Sequence, residues 1–248
     1  MGYRIGFDIG STTIKAVVLD ENNQICYKSY ERHKAQVRQK ALDKLVELKK
    51  YTKEPFKFAI SGSGALGLCE QGELPFVQEV FASATGVSKL YPETDCAIEL
   101  GGEDAKILFF QGSVEQRMNS TCAGGTGAFI DQMSTLLNMS LEEMNEASLN
   151  YHRLYPIASR CGVFAKTDIQ PLINQGVDKC DLCASIFQAV VDQTITSLAQ
   201  GRKIEGNILF LGGPLYFMSG LRKRFVETLK LSDVQVNCPE TAINFVAL

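Results

Sequence analysis

Phe7-Asp8-Ile9-Gly10-Ser11-Thr12-Thr13-Ile14-Lys15 and Ile98-Glu99-Leu100-Gly101-Gly102-Glu103-Asp104-Ala105-Lys106 are two versions of one pattern, 91 residues apart. Each runs apolar, acidic, apolar, glycine, then polar residues, and each carries Lys seven positions after the acid. The residues before the acid read as a strand and those after the turn as its return partner, so each segment marks a tight hairpin. Glycine lets backbone N–H groups approach an anion closely, and the carboxylate can organise a hydrated cation. The repetition predicts two similar half-domains that hold a nucleoside triphosphate and its Mg²⁺ from both sides of a cleft.

Outward from the first hairpin, residues 3–9 read as a strand, 14–19 as a second and 25–30 as a third, with Asp20-Glu21-Asn22-Asn23 as a polar turn. Such a meander differs from a dinucleotide-binding unit, whose glycine loop opens a helix. Val37, Ala41, Leu45 and Leu48 at helical spacing predict a helix over 34–50. Phe56–Ser61 reads as a strand ending in Gly62-Ser63-Gly64, and 77–90 as a helix. The pattern then restarts, with strands over 96–100, 105–110 and 113–118. Helices follow near 126–137, 141–148, 168–175 and 181–200, then a strand over 208–211, a helix over 215–229 and a strand over 234–237. The fold class is α/β, a duplicated unit of mixed sheets flanked by helices. The boundary falls near Pro92-Glu93, giving halves 1–92 and 93–248. The chain stops at Phe245-Val246-Ala247-Leu248, inside what reads as the opening of an apolar helix, and is expected to continue in a longer polypeptide.

The 248 residues are 45% apolar and 21% charged, enough to fill a core. A net charge of −3 supplies no basic field for nucleic acid, and Arg222-Lys223-Arg224 reads as the solvated face of a helix. No apolar run reaches the roughly 18–20 residues of a membrane span, and no signal peptide precedes the first strand. A cytoplasmic location without membrane or nucleic-acid partners is expected. That compartment argues against a disulfide framework for the eight cysteines. Cys26, Cys69, Cys96 and Cys238 read as small buried hydrophobes.

In the first turn, Gly10, Ser11, Thr12 and Thr13 offer backbone and hydroxyl donors to phosphates, and Lys15 adds a positive charge. Asp8 is suited to orient Mg²⁺ through its water shell, since Mg²⁺ keeps several waters. In the second turn, Gly101 and Gly102 approach the phosphates, and Glu99, Glu103 and Asp104 are the available carboxylates. Leu211-Gly212-Gly213-Pro214, a strand ending in glycines before a helix, can pass close to an adenosine. Singly, each piece is an ordinary tight turn; in this order the three point to a nucleotide.

The order of two phosphate loops and an adenosine loop resembles the superfamily of acetate kinase, sugar kinases, Hsp70 and actin. More closely, the chain resembles the ATP-dependent activators of 2-hydroxyacyl-CoA dehydratases, grouped with subunits of benzoyl-CoA reductase. The motifs that carry this are residues 8–15, residues 100–106, Asn119-Ser120-Thr121-Cys122-Ala123-Gly124-Gly125-Thr126-Gly127, Ser159-Arg160-Cys161-Gly162-Val163-Phe164-Ala165, and Leu211-Gly212-Gly213. The resemblance implies duplicated actin-like, ribonuclease H-like halves. It places Asp8, Glu99 and Glu103 in ATP hydrolysis and Gly124, Gly125 and Thr126 with Gly212 and Gly213 at the nucleotide. Some members are the first part of long multidomain activator-related proteins, and this subgroup fits the chain.

From residues alone, Cys122 and Cys161 read either as packing thiols or as metal ligands at helix starts, where the helix dipole favours thiolates. The resemblance selects the second. It implies one [4Fe–4S] cluster bridging a homodimer, with Cys122 and Cys161 of each chain completing a four-thiolate set. It further implies ATP/ADP and Mg²⁺ as ligands, ferredoxin or flavodoxin as electron donor, a dehydratase-like iron–sulfur acceptor and an anaerobic host. Cys180-Asp181-Leu182-Cys183 has no second pair nearby and reads as structural, and His33 and His152 read as surface or packing residues away from any motif. Two other functions stay open: a small-molecule kinase, which needs a base to activate a substrate hydroxyl, and an ATP-sensing scaffold. Relatives commonly have Asp where this chain has Glu99, which favours Asp8 as the Mg²⁺ organiser, and Pro214 is expected to reshape the adenosine loop.

Overall fold

The computed structural model of the chain describes residues 2–53, 55–119, 124–158 and 162–248. Two compact units result, Met1–Pro92 with Ile243–Leu248, and Glu93–Ala242. The first is built on β1 (Tyr3–Ile9), β2 (Thr13–Leu19), β3 (Ile25–Arg32) and β4 (Phe56–Ser61), in the order β3-β2-β1-β4. β1 is antiparallel to β2 and parallel to β4. The β2–β3 turn closes because Asp20 Oδ1 accepts the N–H groups of both Asn22 and Gln24 at 2.8 Å. Alternation along the strands puts Ile5, Phe7, Ile9, Ile14, Ala16 and Val18 in one buried cluster with Ala41 and Leu48 of α1 (Val37–Leu48). α2 (Leu66–Gly72) and α3 (Glu79–Leu90) complete this unit.

The chain's last residues do not stay with the second half. Ala242–Ala247 forms 3-10 turns, not the opening of an α-helix, and Ile243–Leu248 belongs to the first unit. The physical reason is packing. Gly6 of β1 has no side chain, and a Cβ there would fall 1.8 Å from the Ala247 carbonyl oxygen. Phe245 lies on Gly86 of α3 and 6.1 Å, ring to ring, from Tyr91. Asn244 Nδ2 donates to the Ser29 carbonyl at 2.6 Å.

The second unit orders its strands β7-β6-β5-β8-β9, where β5 is Cys96–Leu100, β6 Ala105–Phe109, β7 Glu115–Met118, β8 Ile208–Leu211 and β9 Val236–Asn237. β5 and β8 are parallel and buried throughout, as their near-continuous apolar sequences require. The helices are α4 (Gly127–Leu137), α5 (Leu141–Leu149), α6 (Gly162–Asn174), α7 (Lys179–Thr194), α8 (Gly213–Phe217) and α9 (Ser219–Leu229). α6 begins earlier than its predicted 168–175 and carries Pro171 inside. The helix expected over 215–229 is two, because Met218 leaves the helical region at φ −108° and ψ 92°. With its π turn Ile195–Ala199, α7 makes a 21-residue segment, Lys179–Ala199, that is long and apolar enough to cross a membrane. This corrects the expectation that no run reaches that length. Of its apolar window, 72% is buried inside the protein, where Ile186, Phe187, Val190 and Val191 join the core.

Candidate nucleotide site and family membership

The two acid-glycine segments fold as equivalent hairpins. Asp8 pairs across β1–β2 with Lys15, and Glu99 pairs across β5–β6 with Lys106. Lys15 Nζ lies 2.7 Å from Asp8 Oδ2; Lys106 Nζ lies 3.4 Å from Glu99 Oε1 and 2.8 Å from Asp104 Oδ2. The turns close alike, with the Gly10 N–H donating to the Thr13 carbonyl at 2.9 Å and the Gly101 N–H to the Asp104 carbonyl at 2.8 Å. Seven residues from acid to lysine therefore means one hairpin register, in which each buried carboxylate faces a cation directly.

The equivalence extends to a third position, Gly212 of the expected adenosine loop and Gly62, expected only as the end of a strand. β4 runs parallel to β1 with Ser61 opposite Asp8, and β8 runs parallel to β5 with Leu211 opposite Glu99. Next comes Gly62 at φ 94° in one unit and Gly212 at φ 88° in the other. A Cβ on Gly62 would meet the Ile9 carbonyl oxygen at 2.3 Å and Asp8 Oδ1 at 2.4 Å; one on Gly212 would meet the Leu100 carbonyl oxygen at 2.0 Å. Both glycines thus cross the acid-bearing strand one residue past the acid, at a distance and a positive φ that side chains oppose. Gly213 and Pro214 then open α8, so Pro214 is a first-turn helix residue, where proline is favoured.

Asp8 is fully buried, and among the described residues nothing donates a hydrogen bond to its Oδ1. A buried carboxylate oxygen left unmatched is costly unless a cation or donor faces it. The donor set therefore fits a Mg²⁺-bound water at Asp8 Oδ1, with Lys15 holding Oδ2. Ser61 Oγ, opposite Asp8 in the ladder, is likewise buried without a hydrogen bond among the described residues. Glu99 is 5% exposed with its Lys106 partner, while Glu103 is exposed. The sequence pattern had no means of selecting Ser61 or Gly62, 53 and 54 residues from Asp8, since only strand pairing brings them there.

In the second unit the turn is bonded to a helix. The Gly127 N–H donates to the Gly101 carbonyl at 3.0 Å and the Ala128 N–H to the Gly102 carbonyl at 2.7 Å. These first N–H groups of α4 are therefore already engaged. Thr126 is the fully buried N-cap of α4, and Gly125 packs on Gln193, a Cβ there lying 3.0 Å from its Cγ. Among the described residues, Gln193 Oε1 is buried without a hydrogen bond.

Cys122 and Cys161 lie outside the described residues. Gly162, the first residue of α6, would place a Cβ 3.4 Å from Gln132 Oε1 and 3.6 Å from the Phe129 ring, so α6 starts against α4. Among the described residues no three His, Cys, Asp or Glu side chains cluster as a metal site. Burial pushes the Cys183 thiol up to about 12 and, helped by the Asp178 carboxylate, raises that of Cys180. A redox pair needs the opposite shift, which supports a structural reading of this pair. Cys26, expected in the core, is exposed because β3 is the sheet's edge.

This geometry, paired hairpins each with a buried acid and a glycine crossing, defines an α/β nucleotide-binding protein of the actin-like class. The chain belongs to the BadF/BadG/BcrA/BcrD ATPase family, whose model matches residues 5–243. It is 29% identical over 245 residues to the activator of lactoyl-CoA dehydratase of Anaerotignum propionicum, covering 96% of this chain and 93% of that protein. The crystal structure of component A of (R)-2-hydroxyglutaryl-CoA dehydratase from Acidaminococcus fermentans superposes with a TM-score of 0.87 at 25% identity. It spans all of this chain and 95% of that one. The activator of 2-hydroxyisocaproyl-CoA dehydratase from Clostridium difficile, with bound ADPNP, gives 0.85 at 25% identity over 99% and 91%.

Proposed function

We propose that the chain is an ATP-hydrolysing iron–sulfur activator that passes an electron to a 2-hydroxyacyl-CoA dehydratase-like partner. Family membership and activators similar over nearly the whole chain support this. Asp8 orients Mg²⁺ through water, and Lys15 neutralises the other face of its carboxylate. Gly10, Ser11, Thr12 and Thr13 of one turn, and Gly101 and Gly102 of the other, bear on the phosphates; Glu99 and Glu103 are the further carboxylates. Gly212 and Gly213 serve the adenosine, and Gly124, Gly125 and Thr126 line the approach to α4. Cys122 and Cys161, with their copies in a second chain, hold a [4Fe–4S] cluster, which when bound supplies low-potential one-electron chemistry. Ferredoxin or flavodoxin is the donor, and the setting is an anaerobic cytoplasm.

The observation that carries the reading is the pair of hydrogen bonds from Gly127 and Ala128 to the Gly101 and Gly102 carbonyls. Any shift of that turn as nucleotide is exchanged or hydrolysed acts directly on the start of α4, five residues beyond Cys122. The test is anaerobic reconstitution of the full chain. About four Fe per dimer are expected, with Cys122→Ser losing the iron while still binding ADP. Full iron content in a Cys122→Ser, Cys161→Ser double variant overturns the assignment.

A further inference from the structure

The carbonyls of an anion-binding turn must be held away from the anion, because their negative ends repel it. In the second unit, α4 does this through the Gly127 and Ala128 N–H groups. Gly10 stands two residues after Asp8, as Gly101 stands two after Glu99. Its carbonyl instead meets His33 Nε2 at 3.2 Å. The His33 backbone N–H donates to the Thr12 carbonyl at 3.1 Å, and the Thr13 carbonyl is taken by Gly10. Among the described residues no hydrogen bond takes the N–H of Ser11 or Thr12.

A carbonyl only accepts, so Nε2 carries the proton. His33 is 5% exposed and, among the described residues, nothing hydrogen-bonds its buried Nδ1, so Gly10 is the ring's one hydrogen-bond partner there. The chain also bends sharply to deliver this residue. Lys34 and Ala35, both exposed, follow at φ 46° and 62°, costly for residues with a Cβ, and the Gln36 N–H closes on the His33 carbonyl at 2.8 Å. A surface or packing histidine away from any motif does not explain this arrangement.

We propose that His33 is a positioning residue of the first phosphate turn. Its Nε2–H holds the Gly10 carbonyl aside and so leaves the Ser11 and Thr12 N–H groups to the nucleotide. The inference rests on the nucleotide reading of that turn. In the full chain, His33→Leu removes the donor, whereas His33→Gln keeps an amide N–H near the same place. The Leu variant is expected to weaken ADP binding and raise the KM for ATP about tenfold with a smaller change in kcat, and Gln to recover most of the loss. The chain has two histidines, so ¹⁵N NMR of wild type against His33→Gln identifies the His33 ring, which is expected as the Nε2–H tautomer whether or not the Leu variant folds. A Leu variant that binds ADP as wild type does, or a ring protonated on Nδ1, overturns the proposal alone. A wild type that binds neither ADP nor ATP overturns the nucleotide reading and this one with it.

Discussion

Replacing Gly62 with alanine adds one methyl group directly against the acid of the first hairpin. The new Cβ lands within 2.4 Å of both Asp8 Oδ1 and the Ile9 carbonyl oxygen, at a φ of 94° that alanine resists. The strained backbone alone costs about 1–3 kcal/mol. The expected outcome is a lower urea midpoint together with a displaced Asp8 carboxylate, read as a raised Mg²⁺ requirement for ATP hydrolysis. Unchanged Mg²⁺ dependence in a stably folded Gly62→Ala protein contradicts the role given to this crossing. Asp8 and Glu99 differ in just this respect: Asp8 has an oxygen turned toward Gly62 and free of hydrogen bonds, whereas Glu99 shares Lys106 with Asp104.

Strand β5 and helix α7 each bury a thiol. Burial raises Cys96 from 9.0 to about 12 and Cys183 likewise. In each case the folded protein holds the thiol proton more tightly than the unfolded chain does. The stability this represents is fully present below pH 9 and is lost as pH rises from 9 toward 12, by about 1.4 kcal/mol per pH unit for each thiol. Urea denaturation at pH 8.5 and 10.5 is expected to show the loss, and a Cys96→Ala, Cys183→Ala variant, though weaker at both pH values, to lose that part of the alkaline slope. An unchanged slope contradicts the burial-driven shift. α4 shows how an element's end acquires a role: its N-terminal N–H groups are spent on the Gly101 and Gly102 carbonyls, which ties the helix to the turn.

Across the molecule, the chain closes on its own beginning. Phe245, Ala247 and Asn244 return to strands and helices laid down more than 150 residues earlier. Phe245 is 2% exposed, and Phe245→Ala is expected to cost about 3–5 kcal/mol in chemical denaturation. A loss under about 1 kcal/mol contradicts the tail's place in the core of the first unit. Lys179–Ala199 illustrates the reverse case, a segment whose composition alone passes for a membrane span and whose burial identifies it as a core helix.

The paired hairpins were legible in nine residues each, because strand alternation, a turn glycine and a lysine seven positions from an acid are local facts. So were β4, β5 and β8, whose apolar runs end at glycines. The cysteine motifs were legible only through family resemblance, since two thiols do not specify a cluster. Gly62, Ser61 and His33 were not legible as site residues. Each reaches its hairpin across a strand pair or a sharp bend, and no local spacing encodes that contact. The tail failed for the same reason: an apolar ending does not say which core it will enter. Short-range patterning therefore specified which turns this protein has. Long-range packing decided which distant groups hold those turns open for a ligand, because a buried carbonyl or carboxylate takes whatever partner the fold brings to it.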